Sequence, residues 1–128
     1  MVEKIDNFLH DNLDIMFKYE FNGLLFLTGG AIKGFIMDIP IKDYDFVLLT
    51  QEKDNILEFI TKHNLKYSIK KEHGYTVYYN NLIIGIKALN DLSDFGILNT
   101  DMIFYDVHRK YFIPIGVKQS IKKRQIID

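Results

Sequence analysis

Leu27 to Thr50 reads LTGGAIKGFIMDIPIKDYDFVLLT, and the rest of the chain reads most simply as its scaffold. The glycine pair Gly29-Gly30 ends the apolar run from Leu24 to Thr28. That run has strand length and almost no polar break, the pattern of a strand buried on both faces. AIKGFIMD then reads as a short helix ended by Pro40, because the residue before a proline is pushed out of the helical region. Asp43 and Asp45 stand at the head of a second apolar run, and Tyr44 to Leu49 reads as a second strand.

The spacing of the aspartates carries chemistry. Side chains alternate along a strand, so Asp43 and Asp45 share one side while Tyr44 takes the other. Two carboxylates held together repel unless a positive charge sits between them. A hard divalent cation such as Mg²⁺ takes oxygen ligands and meets that need. It also binds nucleotide phosphates and activates an attacking hydroxyl. The glycines carry the complementary half. A strand that ends in Gly-Gly and enters a helix lets backbone amides approach a ligand, and the positive end of the helix favours phosphate. Lys33, one turn in, adds a full charge.

Outward from this stretch, Val2, Ile5, Phe8, Leu9, Leu13, Met16 and Phe17 form one apolar stripe, which predicts a helix over 2–18. A helix is expected from Thr50 or Gln51 to about His63, burying Ile56, Phe59 and Ile60. Lys66–Lys70 and Tyr75–Tyr79 predict a hairpin, Asn80-Asn81 a turn, and Leu82–Leu89 a further strand. Met102–Tyr105 and Tyr111–Ile115 predict a second strand pair, and the tail from Gly116 a short helix anchored by Ile121. The fold class is therefore α+β.

Composition sets bounds. The 128 residues suit one domain with a proper core. With 10 Phe and 8 Tyr, that core is aromatic-rich. A net charge of -1 argues against a globally basic nucleic-acid-binding surface. Local patches remain: Lys66, Lys70 and Lys71, and Lys118, Lys122, Lys123 and Arg124 in the tail. Such runs are usually solvated faces, but flanking a cleft they suit an RNA backbone. The chain has no cysteine, which excludes disulfides and thiolate metal sites. No apolar run approaches the ~20 residues of a membrane span, and the N-terminus lacks a signal-peptide pattern, so a cytoplasmic location is expected. His10, His63, His73 and His108 have no ligand spacing.

Gly29-Gly30-Ala31-Ile32-Lys33-Gly34 followed by Lys42-Asp43-Tyr44-Asp45-Phe46-Val47 resembles the signature of the DNA-polymerase-β-like nucleotidyltransferases. Within that superfamily it resembles the head domain of CCA-adding enzymes and bacterial poly(A) polymerases. The resemblance implies the polymerase-β-like palm fold, a mixed sheet of about five to six strands flanked by helices, with residues 1–128 forming one minimal head domain. It implies Asp43 and Asp45 as catalytic metal ligands for Mg²⁺, and Gly29, Gly30 and Lys33 as nucleotide-binding residues. A looser match over Ser93–Asn99 and Met102–Asp106 implies Asp94 and Asn99 at the ribose.

Departures from the pattern are part of the reading. Lys33-Gly34 stands where the family has Arg-Asp, and Leu92-Ser93 where it has paired arginines. The strand Leu82–Leu89 offers Gly85 where many members place a third acid; Asp101 or Asp106 are the candidates to replace it. The helical domains that follow the head in that group are not represented here, so an ordinary CCA-adding enzyme is not expected. The expected function is Mg²⁺-dependent transfer of a nucleotide from an NTP to a hydroxyl of RNA, a small molecule or a protein side chain. The alternatives are an inactive nucleotide- or RNA-binding module that keeps the fold, and a subunit completed by a protein partner or by self-association.

Overall fold

Pairing between distant strands organises the molecule. The computed structural model describes residues 1–70, 74–90 and 103–114. Its elements are α1 (Val2–Asn12), α2 (Ile15–Lys18), β1 (Leu24–Leu27), α3 (Gly29–Met37), β2 (Asp43–Leu49), α4 (Asn55–Lys62), β3 (Lys66–Lys70), β4 (Gly74–Tyr79), β5 (Leu82–Leu89), β6 (Ile103–Asp106) and β7 (Tyr111–Pro114). The described strands form one sheet in the order β3-β4-β5-β2-β1-β6-β7. β2 and β5 run parallel, and the other neighbours run antiparallel. The class is α+β with a mixed sheet, as expected. Seven strands replace the expected five to six because both hairpins, β3-β4 and β6-β7, extend the same sheet.

Alternation along the strands sorts the residues into two faces. Leu25, Leu27, Tyr44, Phe46, Leu48, Ile84, Ile86, Ala88 and Tyr105 join the main core with Ile5, Leu9, Met16, Ile56 and Phe59 of the helices. Phe8 stacks on Tyr44 at 5.0 Å and meets Phe35 edge-on at 5.2 Å, which fastens α1 over α3 and β2. Edge-on and offset rings suit the aromatic quadrupole.

The predicted first helix divides in two. Leu13 leaves the helical region (φ -129°, ψ 45°), and the turn lets Leu13, Ile15 and Met16 all be buried. Asp14 at this joint accepts a 2.6 Å hydrogen bond from the Tyr79 hydroxyl. Lys18 and Tyr79 together hold the Asp14 carboxyl below its usual pKa. α3 ends before Pro40 takes effect. Asp38 adopts a left-handed conformation (φ 57°), and the Ile39 amide closes back on the Gly34 carbonyl at 2.9 Å. α4 begins later than the apolar pattern suggests. The Thr50 hydroxyl first accepts the Glu52 amide in a separate turn, and the helix starts at Asn55. The strand positions and the Asn80-Asn81 turn, where both residues have positive φ, follow the sequence expectation. The expected tail helix, Lys71, Asp94, Asn99 and Asp101 lie outside the described residues. No helix among the described residues is long and apolar enough to cross a membrane.

Candidate functional site

Thr28 ties the start of α3 to the acidic strand. The Thr28 amide donates to the Asp45 carbonyl at 2.9 Å, and the Thr28 hydroxyl donates to the same carbonyl at 3.1 Å. With its hydroxyl engaged there, Thr28 makes no side-chain cap to the first amides of α3. Those amides have no partner within the helix either. A positive helix end thus stands beside Asp45 by covalent continuity and a two-bond clasp.

The glycine pair has no visible structural demand. Neither residue takes a positive φ. An added Cβ at Gly30 would meet nothing within 4 Å, and one at Gly29 would meet only the Ile103 backbone at an ordinary 3.5 Å. Two glycines at a helix start each cost the helix up to ~1 kcal/mol relative to alanine. The open surface over Gly30 suits a ligand that must approach the backbone closely. Lys33 is exposed and lies three residues after Gly30, a spacing that places both on one side of the helix.

Gly34 contrasts with Gly30. It is buried, and an added Cβ would overlap the Ile41 side chain. An aspartate here, as the resemblance would lead one to expect, would require the Ile41 side chain to move.

Asp43 and Asp45 are exposed while Tyr44 between them is buried, as strand alternation requires. The Tyr44 hydroxyl donates to the Ile41 carbonyl at 2.8 Å and steadies the strand entrance. The Asp45 carboxyl is pushed above its ordinary pKa, first by partial burial and then by the Asp43 charge, with Lys70 acting in the opposite direction. Asp45 pairs in register with Gly85 of β5, and an added Cβ at Gly85 would overlap the Asp45 carboxylate. The glycine in the middle of this strand therefore makes room for the carboxylate of its neighbour.

Gly85 occupies the place where a third acid was sought. Asp106 does not replace it: its Oδ1 accepts the His108 and Arg109 amides at 3.1 and 2.9 Å and closes the β6-β7 turn. Among the described residues no group of three or more His, Cys, Asp or Glu side chains converges. The two aspartates nonetheless fit a Mg²⁺ ion, which is commonly held by one or two carboxylates together with substrate phosphates and water. The Asp43 charge is one of the causes that raise the Asp45 carboxyl, and a cation relieves that repulsion.

A cleft of about 750 Å³ opens beside the dyad, lined among others by Thr28, Asp45, Lys70, Gly74, Gly85 and Lys87. Thr28 and Asp45 thus line one cleft; Gly29 and Gly30 follow Thr28 at the start of α3, and Asp43 is exposed along β2 with Asp45. Sequence reasoning singled out Lys70 only as part of a basic run, and it passed over Thr28 and Lys87. Thr28 and Lys87 lie inside strand-like apolar runs, and only the pairing of β1 and β5 with β2 gives them a place at the site.

No family model matches the chain, and no curated protein does. Among solved structures, it is similar to a tRNA-processing enzyme in an apo form, with a TM-score of 0.52 and 12% identity over 98% of this chain and 36% of that one. The chain shares the fold of the matched part of that enzyme. A tRNA nucleotidyltransferase complexed with a primer tRNA and an incoming ATP analog is a more distant likeness, with a TM-score of 0.45 and 13% identity over 69% of this chain and 22% of that one. The chain spans about a third of the first enzyme's length and less of the second's.

Proposed function

We propose that this chain is a head domain that transfers a nucleotide from an NTP to a hydroxyl acceptor, acting in the cytoplasm. The observation that supports the reading is the Thr28 clasp, which ties the residue before the uncapped start of α3 to the main-chain carbonyl of Asp45. The amides of Gly29 and Gly30, with Lys33 nearby, receive the triphosphate. Asp43 and Asp45 hold Mg²⁺, which when bound neutralises phosphate charge at the reacting centre. The acceptor oxygen bonds to the α-phosphorus, the bond to the bridging oxygen breaks, pyrophosphate leaves, and the hydroxyl proton passes to solvent. Asp94 and Asn99 are proposed for the ribose.

Transfer of label from an α-labelled NTP with Mg²⁺ tests the reading. Asp43→Ala and Asp45→Ala should each lower the rate at least about 100-fold, since outer-shell changes at metal sites alone cost about 10–100-fold. Equal activity in the variants would sink the assignment. Gly85 in place of a third acid favours a second reading, a nucleotide-binding module without turnover. Metal-dependent NTP affinity with no pyrophosphate release identifies it.

A further inference from the structure

One buried hydroxyl on the face of the dyad has no task in the fold. Thr76 of β4 is 6% exposed, and its Oγ1 is buried without a hydrogen-bond partner among the described residues. Buried polar groups are paired in nearly every case, and an unpaired one calls for an explanation. A valine would fill the same space without that cost. Side-chain atoms of Asp6, His63, Tyr105 and Asp106 share the condition. Thr76 alone among these residues stands in one register row with Asp45.

Asp45 pairs with Gly85 and Gly85 pairs with Thr76, and residues paired across strands project to the same face. The dyad and the Thr76 side chain therefore share one face, with a glycine between them. The Asp45 carboxylate lies over Gly85, in the space that a Cβ there would take. Neighbouring strands lie about 4.8 Å apart, so the Cα atoms of Asp45 and Thr76 are separated by roughly 10 Å. That span is too wide for a direct hydrogen bond between the two side chains, and it suits a hydrated ion. Mg²⁺ keeps several of its waters when carboxylates hold it, and a threonine hydroxyl accepts from such a water.

We propose that Thr76 is a positioning residue for the cation of the dyad: across Gly85, its hydroxyl accepts a hydrogen bond from a water bound to the ion on Asp45. β4 thus supplies a neutral oxygen one strand beyond the place where a third carboxylate was sought. This inference rests on the metal-dependent transfer reading. Mn²⁺ favours the same octahedral oxygen ligation. Titrated into the full chain without nucleotide and followed by electron paramagnetic resonance, it should bind the parent and Thr76→Ser alike. Thr76→Val should bind it at least about tenfold more weakly, since losing an outer partner of a metal site costs about 10–100-fold in affinity. Without metal, Thr76→Val should melt no lower than the parent, because it removes an unpaired buried hydroxyl and keeps the shape. Equal Mn²⁺ affinity in Thr76→Val and the parent would overturn the proposal. So would a Thr76→Ser chain that binds as weakly as Thr76→Val, a parent that binds no Mn²⁺, or a Thr76→Val chain that melts lower, which would make the hydroxyl structural. Thr76-dependent Mn²⁺ binding in a chain that transfers no nucleotide would remove the transfer reading and leave the role of Thr76 standing.

Discussion

β2 has two faces with opposite properties. Tyr44, Phe46 and Leu48 point into the helix-covered core and are 3%, 2% and 0% exposed. Asp43 and Asp45, interleaved with them, point the other way and are exposed. One stretch of backbone therefore serves packing on one side and chemistry on the other. The residues of the core face lower the free energy of the fold. The aspartates raise it, because bringing like charges together and partly out of water favours the unfolded chain. The rigid packing of one face is what holds the other in an electrostatically unfavourable arrangement.

Three substitutions probe this division. The largest effect belongs to the core face: Leu48→Ala should lose about 2–5 kcal/mol of stability by denaturant unfolding, through lost burial and the cavity left behind. A loss below that range would mean that the helices are not packed against β2. Asp45→Asn is next and should separate the two faces. Its transfer rate should fall at least about 100-fold, which is about 2.7 kcal/mol of barrier. Its melting temperature at neutral pH should rise. The sign follows from the raised carboxyl: the folded state binds the proton more tightly than the unfolded state. Stability therefore falls as pH rises from the ordinary value of 3.8 through the raised one, and stays lower above it. The advantage of the amide should vanish in calorimetry below that window, and Mg²⁺ should stabilise the parent chain but not the variant. Gly30→Ala is the smallest and carries opposite signs. Better helix propensity should add up to about 1 kcal/mol of stability, while calorimetric affinity for MgATP falls. Unchanged affinity would show that the space over Gly30 is not ligand space.

Much of this site was legible because its signals are local. Strand alternation alone placed Asp43 and Asp45 on one side, and the apolar run before Gly29-Gly30 placed the glycines at a strand end. The role of Gly85 was not legible, since a glycine in LIIGIKAL acquires meaning only from parallel pairing with Asp45, forty positions earlier in register. The resemblance pointed to a missing acid there, and the register shows what the glycine does in its place. The break at Leu13 escaped for a related reason. The apolar stripe runs unbroken past it, and the turn is fixed by burial of Leu13, Ile15 and Met16 and by the Asp14–Tyr79 bond, which spans 65 positions. Gly34 taught a smaller lesson: what looks like a lost catalytic-motif residue is a contact with Ile41.

The position of β3 in the sheet bears on how copies of the chain behave toward one another. It is an edge strand, exposed along its whole length, with Tyr67 at 44% and Ile69 at 72% exposure. Such an edge is a template for strand addition and aggregation unless charge guards it. Lys66 and Lys70 stand at its two ends. Lys70 therefore answers two demands at once, and a chain that lost it would lose a gatekeeper against edge-to-edge pairing along with a cation of the cleft.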